Sequence, residues 1–205
     1  VVGSQRGKAI FNTELSFQVR EAGLSHQVDM PDCAPPEELG DDNERWAKMR
    51  AAVEDKSANP VIVNRPSLRP IEMRSVIPID YLNPSKSAPE QLVWIRASGS
   101  LKDLGVADDA GLQRAILAYA SDFNLMGTSL LPHAVSILNQ KLQPASLDHC
   151  IWFHDDFAVD DWLLYSMDSP RSSHGRGLSR GSFYTRDGRL VASTIQEGLI
   201  RLHTD

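Results

Sequence analysis

The chain reads as an α+β protein in which one helix lies against a curved antiparallel sheet. Three observations predict this. Asp109 to Asp122 carries Leu112, Ile116 and Tyr119 at helical spacing. Apolar runs of strand length then follow with short connections: Leu147 to Phe153, Trp162 to Met167, Gly177 to Thr185 and Leu190 to Gln196. The last two flank Arg186-Asp187-Gly188-Arg189, whose Asp-Gly pair is a hairpin signal.

Taken in order, residues 1–19 form a hairpin that turns at Gln5-Arg6-Gly7-Lys8, with Ala9 to Val19 as its return strand around Phe11, Leu15 and Phe17. Two strands do not stand alone in water, so this hairpin leans on something else. Residues 20–60 are polar and acidic and are broken by Pro31, Pro35 and Pro36. Within them, Asp41 to Lys56 places Trp46, Met49 and Val53 on one helical face. Residues 60–90 hold six prolines and short β-branched runs such as Val61-Ile62-Val63. The stretch 26–88 is therefore expected as an ordered connector lying over a neighbouring domain.

Gln91 to Arg96 is the first strand of the sheet, and Gly99 and Gly105 punctuate the approach to the helix. Asp108 and Asp109 suit the helix start, where free N–H groups and the dipole favour negative charge. Ala115 and Ala118 keep one flank slim enough for strands to pass close by. Spacing leaves Asp122 two places. It shares the apolar side, where a carboxylate loses water and opposes the dipole, or it belongs to a polar turn over Ser121 to Asn124. On the last strand Leu190, Ala192, Thr194 and Gln196 share a face.

The chain is long enough to bury a core, and 41% hydrophobic with 23% charged residues is ordinary globular composition. A net charge of −6 argues against general nucleic-acid binding. Residues 28–60 carry nine acidic against four basic side chains, whereas 170–202 carry six arginines against two acids. Two cysteines make no disulfide framework, which points to a reducing compartment, and Cys150, inside an apolar run, reads as a buried small hydrophobe. No stretch approaches the roughly 18 apolar residues of a membrane span. None reads as a signal peptide, and His203-Thr204-Asp205 is not a Ser-Lys-Leu peroxisomal address.

Three constellations bear on chemistry. Gly177-Leu178-Ser179-Arg180-Gly181, with Asp187 and His203 downstream, matches a nucleophile elbow in letters, but it runs into a hairpin instead of a helix. His149 and His154 lie beside Asp155 and Asp156, yet positions five apart on a strand face opposite ways and do not share one metal ion. They read as hydrogen-bonded structural histidines. Asp122, Ser146 and Gln196 are each bland alone. Across a helix–sheet gap, a carboxylate, a hydroxyl and an amide can hold and polarise one water without a covalent nucleophile.

Tyr119-Ala-Ser-Asp122-Phe-Asn124, Ser146-Leu-Asp-His-Cys-Ile-Trp-Phe-His154, Asp161-Trp-Leu-Leu-Tyr165, Arg176-Gly-Leu178, Tyr184-Thr-Arg-Asp-Gly188 and Val191-Ala-Ser-Thr-Ile-Gln-Glu-Gly198 resemble the acyl-CoA thioesterase II family in order and spacing. The resemblance implies a double hot-dog protein that hydrolyses fatty acyl-CoA to free acid and CoA. Residues 1–25 are then the last hairpin of a first hot dog, 26–88 a connector with a short helix, and 89–205 a complete second hot dog. A chain so begun leaves apolar surface and sheet edges open.

It further implies Asp122 as general base on a water held by Ser146 and Gln196, no metal or cofactor, and a homo-oligomer of the cytoplasm or the peroxisome. Arg176 and Arg180 are expected near the CoA phosphates from their charge alone. The rival expectations are an acyl-CoA-binding or interaction protein without turnover, and a hot-dog hydratase acting on enoyl-CoA.

Overall fold

The computed structural model describes residues 1–53 and 70–203. Its main sheet has seven strands, all antiparallel: β3 (Ile71–Ser75), β4 (Glu90–Ala97), β5 (Leu142–Ser146), β6 (Cys150–Phe153), β7 (Leu163–Ser173), β8 (Arg176–Thr185) and β9 (Leu190–Leu202). They lie in the order β3-β4-β7-β8-β9-β5, and β6 also pairs with β9. β1 (Val2–Gln5) and β2 (Lys8–Asn12) form a separate hairpin.

That hairpin is shorter than expected. It turns at Arg6 and Gly7, both at positive φ, and its last rung is Thr13 N–H to Val1 O. Leu15 and Phe17, expected in the strand, are exposed at 67% and 89%. The helix expected over 41–56 is α1 (Asp42–Val53); residues 54–56 and the run Val61-Ile62-Val63 lie outside the described residues. β3 falls inside the stretch expected as a connector and adds an edge strand, pairing Ile71 with Ala97 and Ser75 with Val93. The main sheet therefore begins at Ile71.

The long helix is α2 (Ala110–Ala120), capped by Asp109, whose carboxylate accepts the Leu112 N–H at 2.9 Å. Its buried face is Gln113, Leu117 and Ala120, a rotation from the predicted Leu112–Ile116–Tyr119 stripe. Gln113 belongs in the core because its amide is satisfied at both ends. It donates to Ala107 O at 2.9 Å and accepts the Val159 N–H at 2.7 Å. Tyr119 is instead exposed and meets Phe123 edge-on.

Leu117 and Ala120 pack on the inner face of the sheet, among Val93, Ile95, Leu163 and Phe183. The outer face carries a second cluster of Trp94, Trp162, Leu164 and Tyr184, covered by Met30, Cys33 and Leu39. Trp94 donates its indole N–H to Ala34 O at 2.9 Å, so residues 30–39 lie over this face of the sheet.

Of the strand expected over 147–153 only Cys150–Phe153 forms, and a strand that was not expected, Leu142–Ser146, precedes it. Leu147 and Asp148 both direct their N–H groups to Glu197 O, at 2.9 and 3.4 Å, so two residues oppose one. Asp148 in turn accepts the Glu197 N–H at 2.8 Å. β5 ends before this bulge and β6 begins after it. β6 is short and exposed on alternate positions, so Cys150 faces out while Ile151 and Phe153 pack on the core; the expectation of a buried Cys150 is overturned.

Near the sheet centre, Gly181 leaves room for Tyr165, whose ring stacks on Phe183 with centroids 3.9 Å apart. A Cβ at Gly181 would lie 2.2 Å from the Tyr165 ring and 2.7 Å from Thr194 Oγ1. Gly181→Ala should therefore lower stability by about 1–3 kcal/mol through overpacking. Urea unfolding measures it, and an unchanged midpoint would mean the ring has room to move.

Candidate active site

Asp122, Ser146 and Gln196 meet. Gln196 is 1% exposed, on the inner face of β9. Its Nε2 donates to Asp122 Oδ1 at 2.7 Å and to Ser146 Oγ at 2.9 Å. Because a carboxylate only accepts, the amide must turn its nitrogen to this side, and its two hydrogens serve the two oxygens. Asp122 and Ser146 themselves are exposed. Of the two places that spacing allowed Asp122, the structure takes the turn over 121–124, where the carboxylate keeps contact with solvent. Ser146 is the last residue of β5, immediately before the bulge.

The turn is gripped from several sides. Ser121, fully buried, caps α2 through its N–H to Leu117 O, and its carbonyl accepts the Tyr165 hydroxyl at 2.7 Å. The same hydroxyl lies 3.1 Å from Thr194 Oγ1, two residues before Gln196. Burial pushes the Tyr165 phenol well above its ordinary range, so it remains an O–H. Asn124 takes the left-handed conformation, φ 65°, and starts α3 (Leu125–Thr128). Gln91 reaches from β4 to Thr128 Oγ1 at 2.7 Å and holds that short helix against the sheet.

His149 lies within the bulge, with Nε2 2.8 Å from Ser121 Oγ. Burial lowers its pKa against the opposing pull of Asp122 and Asp148. His154 Nε2 lies 2.9 Å from Ser193 Oγ, so the two histidines have separate serine partners. Sequence reasoning treated His149 as purely structural and passed over Ser121, Tyr165 and Gln91. The available signal is that Ser121 adjoins Asp122 and that His149 lies three residues after Ser146.

Arg176 and Arg180 are not brought to these residues. In the β8–β9 register Ser179 faces Gln196, and strand alternation puts Arg176 and Arg180 on the other face. There Arg176 pairs with Glu197 at 3.2 Å, and Arg180 makes a two-pronged pair with Asp168. Ser179 is fully buried in the middle of β8. The elbow reading fails on that strand context.

A cavity of about 1040 Å³ opens beside the polar group. Asp122 and Ser146 stand on its wall with Met126, Leu130, Val135 and Ile137. An antiparallel sheet packed on one long helix, with a carboxylate, a hydroxyl and an amide meeting at its rim, defines a hot-dog protein with a polar site beside an apolar cavity.

The comparisons narrow this class to one family. Residues 68–199 match the acyl-CoA thioesterase family, and the chain belongs to it. Acyl-CoA thioesterase 2 of Haemophilus influenzae is 34% identical over 197 residues, covering 96% of this chain and 66% of that protein. Human acyl-coenzyme A thioesterase 8 is 35% identical over 202 residues, covering 97% and 61%. The crystal structure of acyl-CoA thioesterase II TesB2 from Mycobacterium marinum superimposes with TM-score 0.66 at 34% identity, covering 91% of this chain and 61% of that one. A hot-dog protein from Alicyclobacillus acidocaldarius, 15% identical, shares the fold with TM-score 0.58, covering 90% and 59%. The chain thus spans 61–66% of the length of these curated relatives.

Ser179 Oγ is buried with no hydrogen-bond partner among the described residues. Removing an unsatisfied buried hydroxyl costs little. Ser179→Ala should leave both melting temperature and any thioester hydrolysis near wild type. A large loss of rate at unchanged stability would reinstate it as a reactive group.

Proposed function

We propose that this chain hydrolyses fatty acyl-CoA to fatty acid and CoA by direct attack of an activated water. The observation that carries the reading is the pair of bonds from Gln196 Nε2, 2.7 Å to Asp122 and 2.9 Å to Ser146, beside a cavity large enough for an acyl chain. With Oδ1 held by Gln196, Asp122 keeps Oδ2 for a proton. Ser146 accepts through its oxygen and keeps its hydroxyl hydrogen to donate.

A water between them gives its proton to Asp122 Oδ2 as its oxygen adds to the thioester carbonyl carbon. The oxyanion formed is met by hydrogen-bond donors, each worth about 3–4 kcal/mol of barrier. Collapse breaks the C–S bond, and the departing sulfur takes the proton from Asp122. A thiolate leaves readily, so the reading calls on no metal or cofactor. Arg176 and Arg180 are given no part in it.

Residues 1–25 read as the closing hairpin of a first hot dog, followed by the connector and the second hot dog. The exposed apolar side chains of the first segment, Ile10, Phe11, Leu15, Phe17 and Val19 among them, support a homo-oligomer. Sedimentation velocity should show a species larger than the 22.7 kDa monomer; a monomer at micromolar concentration counts against it. The proposed compartment is cytoplasm or peroxisome. One relative, 32% identical over 48% of this chain, is the yeast peroxisomal acyl-coenzyme A thioester hydrolase 1.

Free-thiol release from palmitoyl-CoA tests the activity. Asp122→Asn should lower kcat by about 10²–10⁴-fold with an unchanged circular dichroism spectrum. Turnover untouched by that change overturns the base assignment. Tight binding without thiol release by the wild type marks an acyl-CoA-binding protein instead, and a hydrated product with its thioester intact marks a hydratase.

A further inference from the structure

The two exposed members of the site come from separate pieces of chain. Asp122 hangs from the turn that ends α2, and Ser146 from the end of an edge strand. Gln196 bonds to both, but only through side chains. One further bond joins the two pieces nearer their backbones: His149, three residues after Ser146, to Ser121, the residue before Asp122.

The local fold builds this bond deliberately from the bulge. With Leu147 and Asp148 both directed at Glu197 O, the backbone turns out of the strand, and the next side chain, His149, points back at the helix end. Ser121 Oγ already donates to Ala118 O at 2.8 Å, so it receives the bond from His149 as an acceptor. The imidazole is therefore the Nε2–H tautomer. Its Nδ1 is buried without a hydrogen-bond partner among the described residues, which leaves a second proton poorly accommodated. Asp122 and Asp148, the acidic groups that face the ring, pull the other way but are outweighed by burial.

We infer that His149 is a positioning residue whose Nε2–H bond to Ser121 fixes the backbone carrying Asp122 against the strand end carrying Ser146. It acts through these neighbours and takes no part in proton transfer. The inference rests on the proposed hydrolytic role of Asp122. Its consequence is geometric. If the bond is lost, the carboxylate and the hydroxyl drift apart although both remain present, and a misplacement of about 1 Å is worth as much as 10²-fold in rate.

Four variants test it: His149→Ala, His149→Gln, Ser121→Ala, and His149→Ala combined with Asp122→Asn. A glutamine Nε2 can stand where the imidazole Nε2 stands, so His149→Gln should keep most of kcat. His149→Ala and Ser121→Ala should each lower kcat by about 10–10²-fold with KM little changed. In the Asp122→Asn background His149→Ala should cost nothing further, because the group it aims is already gone. A His149→Ala protein with wild-type kcat overturns the inference. So does a loss that persists in full beside Asp122→Asn, which would mark a general effect on the fold.

If Asp122→Asn itself retains full activity, or the wild type does not turn over, the hydrolytic reading has failed, and the bond is judged by nitrogen-15 shifts of the imidazole. An Nε2–H tautomer that titrates below the ordinary histidine value, with signals that move in Ser121→Ala, supports the positioning bond. An Nδ1–H tautomer, or signals indifferent to Ser121→Ala, overturns it.

Discussion

The turn after α2 has to bury its backbone against the sheet while presenting one carboxylate to solvent, and the Tyr165–Ser121 hydrogen bond reconciles the two demands. Ser121 is wholly buried, yet the next residue is exposed. A buried carbonyl at a helix end is costly unless paired, and Tyr165 supplies the partner at 2.7 Å from β7. That hydroxyl arrives there because the ring is stacked on Phe183 and because Gly181 has no side chain to displace it. Its second contact, to Thr194, ties the same group to β9, the strand that carries Gln196. One phenol thus sets the distance between the turn and the amide.

Gln196 is suited to its place for an electrostatic reason. Its neighbours are an anion and a hydroxyl oxygen, both turned toward it. A carboxylate in its position would repel Asp122, and a lysine would bring a full charge to a buried position, 1% exposed. The amide offers two neutral donors on one nitrogen, and the geometry uses both. Its own oxygen remains buried without a partner among the described residues. The amide is therefore held by the two acceptors on its nitrogen side, so its orientation depends on the presence of Asp122 and Ser146 themselves.

The parts of the fold governed by local chemistry were legible in the sequence. The helix start at Asp109, the turn with Gly188 at φ 86°, and the shared face of Ala192, Thr194 and Gln196 follow from residue type at short range, whereas Leu190, expected on that face, packs in the outer cluster because the β8–β9 register shifts between Phe183 and Tyr184. The convergence of Asp122, Ser146 and Gln196 was reached through resemblance; spacing alone left Asp122 with two places. What spacing hid were features decided by tertiary partners. β5 contains Pro144, tolerable because it is an edge strand, and β3 is a short run behind a proline. The helix face is rotated because Gln113 finds partners on Ala107 and Val159, which no periodicity can anticipate. Charge was the least informative guide. Arg176 and Arg180 are on the outer face, already engaged by acids that lie across neighbouring strands.

The division of labour across the sheet edge explains why exposed and buried members can share one site. Under the proposed hydrolysis, a substrate with a bulky thiol head has to be reached from solvent, so the groups that would touch it cannot all be inside. Asp122 and Ser146 are outside, one on a turn and one at the end of an edge strand, where backbone is intrinsically mobile. Precision must then come from behind. The Gln196 amide, the Tyr165 hydroxyl and the His149–Ser121 bond all approach the exposed pair from the interior side, where packing fixes rotamers and water does not compete. An edge position gives access, and a buried polar layer beneath it restores the order that an edge lacks.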